Sequence, residues 1–338
     1  MNDTKSVTFR TPDDMHIHLR QGSELKKYAR RAAKVFARAV VMPNVKPPIT
    51  TPAGLISYRN EIQRCTTGFQ PLMTFKLVAG LNANQVAGLK DSGAVAGKYY
   101  PEGVTTNSED GIRNTGELFP ILEAMEEMDI ILCVHGEKPG DPILTREQSF
   151  IPEFEQIVKK FPRLRIVFEH VSTKEAVAFV RNMPDSIAAT VTVHHLLFTL
   201  EDMMASGFYP ELYCKPVVKH ASDMEAIRQA VLEGGSKFFF GSDSAPHPRA
   251  AKSKAPVASG VYSSPVALPL LIDFFDSHGA LGKLEDFVSR FGAEFYRLPL
   301  NEGRSEWQRI SDKVPRAIDG AIPLLAGKTV SWKKKAAG

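Results

Sequence analysis

Eight short apolar runs recur along the chain, with longer amphipathic stretches between them. The first run ends at His18; the others cover 39–42, 72–79, 94–100, 130–134, 165–168, 187–193 and 237–240. Strands that alternate with helices over a whole chain predict a parallel sheet joined by helical crossovers. Helical spacing is read at 23–37, where Ser23 can cap and Leu25, Tyr28, Ala32 and Val35 share a face. Thr51-Pro52 opens a second helix with proline at its first position. Further helices are read at 115–128 and 152–161, after capping boxes at 172–175 and 222–225, and at 265–277 and 283–291. Eight strands with seven crossovers predict an α/β fold, a (β/α)8 barrel. No linker or low-complexity stretch divides the chain. The expectation is one domain over residues 1–338, with a short C-terminal extension and a short strand at 329–332. A length of 338 residues, 43% of them hydrophobic, suits a core of that size.

In such barrels the chemistry sits at the C-terminal strand ends. His16 and His18, Lys98, His135, His170 and Asp243 fall at strand ends 1, 4, 5, 6 and 8. Side chains at i and i+2 of a strand share a face, about 6–7 Å apart. The His16 and His18 imidazoles can therefore converge on one metal ion. The same alternation carries Arg20 over that space. Apolar and aromatic neighbours make Lys98 read as buried. On residues alone Asn44 after Pro43 would serve equally as a turn residue; Asp243 as a helix cap is the weaker alternative, since Ser244-Ala245-Pro246 reads as a turn, and 105–108 could be an ordinary exposed loop.

Composition narrows the partners. A net charge of +4, spread along the chain, is too mild to argue for nucleic acid. The one basic cluster, Lys333-Lys334-Lys335, reads as a solvated tail. Cys65, Cys133 and Cys214 are sparse and odd in number, which suggests a reducing compartment and no disulfide framework. Cys133 reads as a small buried hydrophobe, and the absence of Cys-x-x-Cys argues against a thiolate zinc site. Residues 1–5 lack the apolar core of a signal peptide, and no run approaches a membrane span. A soluble cytoplasmic protein with no membrane partner is expected.

The strand-end set resembles the binuclear amidohydrolase superfamily, and longer segments narrow the likeness. They are Pro12-Asp13-Asp14-Met15-His16-Ile17-His18-Leu19-Arg20, Val41-Met42-Pro43-Asn44, Lys98-Tyr99-Tyr100-Pro101 with Thr105-Thr106-Asn107-Ser108, Val134-His135-Gly136-Glu137, Phe168-Glu169-His170 and Gly241-Ser242-Asp243-Ser244-Ala245-Pro246-His247. Over about residues 7–335 they resemble the dihydroorotases of the shorter bacterial type.

The resemblance implies a reversible cyclisation of N-carbamoyl-L-aspartate to L-dihydroorotate plus water, in de novo pyrimidine (UMP) synthesis. It implies two zinc ions per chain. His16, His18 and Asp243 would hold one, His135 and His170 the other. Lys98, carboxylated by CO2 to N6-carboxylysine, would bridge both. Two cations held by neutral imidazoles need such an anion, and a lysine with a lowered pKa can take up CO2. Asp243 would carry the proton. Arg20, Asn44 and His247 would hold the substrate carboxylate. Thr105 and Thr106 would lie on a loop that closes over substrate, with further contacts from His135, Lys215 and Ser259. His194 and His195 read as structural, and His220 and His278 carry no role. The family implies a homodimer. A hydantoinase would share the metals but has no need of Arg20, Asn44 and His247 together. A non-catalytic barrel would be expected to have lost ligands, and here none is missing.

Overall fold

The computed structural model describes residues 5–335; the start of the chain before Lys5, on which the signal-peptide reading largely rests, lies outside the described residues. The eight barrel strands are β1 (Asp13–Ile17), β2 (Arg38–Val41), β3 (Gln70–Lys76), β4 (Ala94–Tyr99), β5 (Ile131–Val134), β6 (Ile166–Phe168), β7 (Ile187–Val191) and β8 (Phe238–Phe240). Each pairs in parallel with the next, in chain order. The seam between β8 and β1 is stitched just beyond the strand ends. Asp243 N donates to His16 O at 2.8 Å, and His18 N donates to Ser244 O at 3.1 Å.

The strands read as unbroken apolar runs because both faces are covered. Met15, Val40, Leu72, Ala96, Ile131, Cys133, Val167, Ala188 and Phe239 fill the interior with Phe291 and Tyr296. The opposite faces pack under the helices. Gly97 is needed where β4 is most crowded. A Cβ there would lie 2.6–2.9 Å from Leu77, Met125 and Phe75.

Several local readings shift. β7 stops at Val191 because the Thr192 hydroxyl accepts from His195 N at 3.1 Å and caps a short helix, Val193–Leu197. The helix read from Pro152 begins at Arg146, and Glu147 and Phe150 in its added turn are buried. Pro152 sits inside it rather than at its start. The first helix is Ser23–Ala33, and its cap is Gly22, without a side-chain bond. Thr173, not Ser172, caps its helix by accepting from Ala176 N at 3.2 Å. The later box is shifted to His220, whose N–H reaches the Asp223 carboxylate at 3.3 Å. The segment 115–128 divides after Leu118 into a 3-10 turn, Thr115–Leu118, and a helix, Phe119–Glu127, with Pro120 in its first turn. A helix at Ala83–Asp91, boxed by Asn82 and Gln85, is an addition to the sequence reading.

The largest correction concerns the two ends of the chain. Ser6–Arg10, Arg304–Gln308 and Lys333–Lys334 form a small antiparallel sheet outside the barrel. Lys333-Lys334-Lys335 is therefore no solvated tail: Lys335 N donates to Glu306 O at 2.9 Å, and Trp332 just before it is fully buried. The strand read at 329–332 is Thr329–Val330, paired with Asp312–Lys313.

A buried ion pair ties this C-terminal region to the barrel floor. Arg38 grips Asp13 through Nε at 3.0 Å and Nη2 at 2.6 Å, while its Nη1 donates to Pro299 O at 2.8 Å. Asn301 adds a bond to Asp13 at 2.7 Å. Removing one partner strands the other charge out of water. Asp13→Ala is expected to lower unfolding free energy by about 3–5 kcal/mol. Denaturant melts read this directly, and a loss below about 1 kcal/mol would contradict it.

Candidate active site

The two histidines that begin the site are His16, on β1, and His18, just beyond its end. His16 Nδ1 donates to the buried Glu169 carboxylate at 2.7 Å. That bond fixes the tautomer and leaves the Nε2 lone pair facing inward. It meets His18 Nε2 at 3.3 Å and Asp243 Oδ1 at 3.3 Å, and His18 Nε2 lies 3.1 Å from the same oxygen. Ligands about 2.0–2.1 Å from a tetrahedral zinc ion lie roughly 3.3–3.4 Å apart. The trio therefore has the spacing of a metal site.

His135, after β5, gives Nε2 to Glu137 at 2.8 Å, which leaves its Nδ1 for the site. His170, after β6, stacks edge-on to it with ring centroids 4.8 Å apart, and 5.1 Å from the ring of His16. His170 Nδ1 is buried with no partner among the described residues. Lys98 on β4 is fully buried, and its Nζ likewise has none. A buried ammonium with no hydrogen-bond acceptor is costly, and burial holds the Lys98 pKa below that of an ordinary lysine, against the pull of the Glu169 and Asp243 carboxylates. The donor set thus fits two cations with an anion between them, as two zinc ions and a carboxylated Lys98 would provide.

Electrostatics favour ligand forms. Burial pushes His18 down to about 4, and holds His135 and His170 below the usual imidazole range. Burial opposes ionisation of Asp243, but hydrogen bonds from His16 and His18 outweigh it and keep the carboxyl well below its usual range. Glu169 follows the same balance, and His16 with Lys98 draws it down to about 2.

Three site residues adopt left-handed backbone: Arg20 at φ 62°, His170 at φ 43° and Asp243 at φ 41°. Such strain in non-glycine residues costs on the order of 1–3 kcal/mol and persists where surrounding bonds over-determine it. For Arg20 it corrects the sequence argument. β1 ends at Ile17, so alternation does not carry Arg20 to the site; the φ reversal does. Its carbonyl is held by Tyr58 OH at 2.7 Å, and its Nε donates to Pro246 O at 2.8 Å.

The pocket above these groups is lined by His16, His18, Arg20, Asn44, Thr105, Thr106, His135, His170, Lys215, Asp243 and Ser259 among the expected residues. His247 stands behind them. Its Nε2 lies 3.0 Å from Arg20 Nη2 and 2.8 Å from Ser259 O. Burial, with Arg20 beside it, pushes His247 down to about 3, so the ring is neutral. Asn44 donates to Thr106 O at 3.0 Å, and Thr106 Oγ1 lies 3.2 Å from Ser259 Oγ. The 105–106 segment is thus closed over the pocket.

Sequence reasoning missed Tyr100, Glu169, Glu137, Ala245 and Gly260. Tyr100 lines the pocket, and its ring centroid lies 5.3 Å from Lys98 Nζ. Its signal was available, since it follows Lys98 by two residues. Glu169 and Glu137 stood inside the quoted segments but were given no role. His195 has nitrogens 2.8 Å from Thr192 Oγ1 and 3.0 Å from Pro216 O. His194 lies beside it, and its ring nitrogens have no partner among the described residues.

The profile of the amidohydrolase family matches residues 14–314. Dihydroorotases of Shewanella frigidimarina and Pseudomonas aeruginosa are each 41% identical, over 98% of this chain and 99% of theirs. The chain belongs to the dihydroorotases of the amidohydrolase family. Among solved structures, dihydroorotase from Campylobacter jejuni matches with TM-score 0.93 at 34% identity, covering 99% of both chains. The Saccharomyces cerevisiae dihydroorotase in complex with 5-fluoroorotic acid matches with TM-score 0.92 at 32% identity, covering 98% of both. An L-hydantoinase from Arthrobacter aurescens, at TM-score 0.83 and 18% identity, shares the fold; the match covers 97% of this chain and 82% of that one.

Glu169 is the bond that aims His16. Glu169→Ala is expected to weaken metal retention about 10- to 100-fold, as loss of a carboxylate behind a ligating histidine does. Chelator competition monitored by elemental analysis measures it. Retention equal to the parent would remove Glu169 from that task.

Proposed function

We propose that this site interconverts N-carbamoyl-L-aspartate and L-dihydroorotate in pyrimidine synthesis, with two zinc ions bridged by carboxylated Lys98. The observation that carries the reading is the join of two facts. Relatives 41% identical over nearly the full chain are named dihydroorotases, and the donors expected of such a site converge around one pocket. His16, His18 and Asp243 would hold one ion, His135 and His170 the other. When bound, the ions supply Lewis acidity and make water a nucleophile near neutral pH.

The chain's own residues do the rest. Arg20, fixed by its bonds to Pro246 and Tyr58, clamps a substrate carboxylate. Asn44 and His247 complete that anion pocket. Thr105 and Thr106 hydrogen-bond substrate and exclude water, with Lys215, Ser259 and His135 bounding the ring. In ring opening, the amide C–N bond breaks, oxygen from water joins the carbonyl carbon, and Asp243 passes a proton to the leaving nitrogen. In ring closure, Asp243 takes the proton from the attacking amide nitrogen. The reading includes a single-domain, cytoplasmic, homodimeric enzyme whose partner is its small-molecule substrate, with no nucleic-acid or membrane partner. Family likeness supports those last features, and no helix among the described residues is long and apolar enough to cross a membrane.

The absorbance change on adding L-dihydroorotate tests the activity itself. Asp243→Asn keeps the size and one oxygen of the side chain but removes the basicity. It is expected to cut turnover about 10²–10⁴-fold in both directions with metal still bound. An Asn variant retaining half the parent rate would assign the proton to another group. Because Asp243 is held well below the usual carboxylate range, it stays ionised through neutrality. Its contribution is lost only as pH falls through that lowered value. Arg20→Met is expected to leave zinc content intact and raise KM, losing roughly 2–5 kcal/mol of substrate binding. An unchanged KM and rate would remove Arg20 from the site.

A further inference from the structure

The segment that covers the pocket is held from the side by a residue that is itself neither a candidate metal ligand nor part of the pocket wall. Lys76 closes β3, in register with Lys98 on the neighbouring strand. Its side chain is fully buried, yet its Nζ reaches up to the covering segment, where it donates to Asn107 O at 2.8 Å and pairs with the Asp110 carboxylate. Asp110 itself is half-exposed. The other ties on that segment are neutral. Asn44 and Asn107 exchange bonds with 106–107 and residue 44, Thr106 meets Ser259, and Ser108 folds back on Thr105.

The only charged tie among them joins a rigid strand end to the outer side of the cover. We propose that Lys76 is a latch. Through Asp110 and Asn107 it holds residues 104–110 shut over the site, and it thereby sets substrate affinity without contacting substrate. The physical reason is an asymmetry of cost. With the segment shut, the Lys76 ammonium has two acceptors. If the segment lifts, a buried cation loses both at once, so opening is opposed at a point remote from the reacting atoms. An apparent affinity scales with the fraction of molecules in the binding-competent arrangement, so the latch is read out in KM. This rests on the reading that Thr105 and Thr106 contact substrate.

Asp110→Asn is the sharper variant, because the side chain it alters reaches solvent and the barrel keeps its packing. In the metal-loaded full chain, deuterium exchange of residues 104–110 without substrate is expected to quicken several-fold. KM is expected to rise about two- to fivefold, in line with loss of a partly exposed ion pair. The turnover number at saturation should hold, since bound substrate then closes the segment itself. Lys76→Met should show the same split. The double variant should add little to either, because one interaction has been removed twice. Unchanged exchange in Asp110→Asn would overturn the latch. Faster exchange with unchanged KM would overturn its link to affinity, and would place the fault in the assignment of the threonines to substrate. A parallel fall in turnover number and metal content would mark Lys76 and Asp110 as structural and overturn the proposal.

Discussion

A lysine amine buried among three imidazoles, with no acceptor of its own, is the constraint around which the rest of the site makes sense. Lys98 cannot remain a bare ammonium there at low cost. Its surroundings are crowded with donors: His16, His135 and His170 share the space, their second nitrogens are turned away by carboxylates or left free, and the nearby Glu169 and Asp243 carboxylates are engaged by His16 and His18. A pair of cations with an anionic carbamate resolves both problems together. The lysine loses its charge, and the imidazole lone pairs gain partners. The cost of the bare arrangement is thus a physical argument for the loaded one.

The barrel supplies the means of convergence. Each ligand sits within a few residues of a strand end, and strand ends are where one fold can bring distant sequence to one point. The seam between β8 and β1 is notable because its hydrogen bonds run through His16, His18, Asp243 and Ser244 themselves. The bonds that close the barrel thus also bring His16, His18 and Asp243 together. Ser242 strengthens the seam: its N–H donates to Asp14 at 2.8 Å, and Asp14 also receives His16 N at 3.1 Å. Gly241 leaves room for this, since a Cβ there would press on Thr190 and His16 at 2.9–3.0 Å.

The candidate ligands stood out in the sequence because position and chemistry agreed at five strand ends. What was less legible had physical causes. Arg20 reaches the pocket by a left-handed turn, which no alternation rule anticipates. Glu169 and Glu137 act through histidines, so their roles depend on which ring nitrogen faces inward. The terminal sheet pairs residue 6 with residue 308, a separation beyond any local pattern, so a lysine run that looks solvated by composition proves to be a paired edge. Lys76 lies inside the apolar run read at 72–79 and drew no reading of its own, because its partners stand on a distant segment. Helix starts drifted where a nearby hydroxyl or carboxylate took the cap, as at Thr173 and Asp223.

The most direct measurement is carbon-13 NMR of the protein loaded with zinc in the presence of labelled bicarbonate. The account predicts a single carbamate carbon resonance, present in the parent chain, absent in Lys98→Ala, and accompanied by two zinc ions per chain. An unmodified Lys98 in protein that holds both metals and turns over L-dihydroorotate would contradict it.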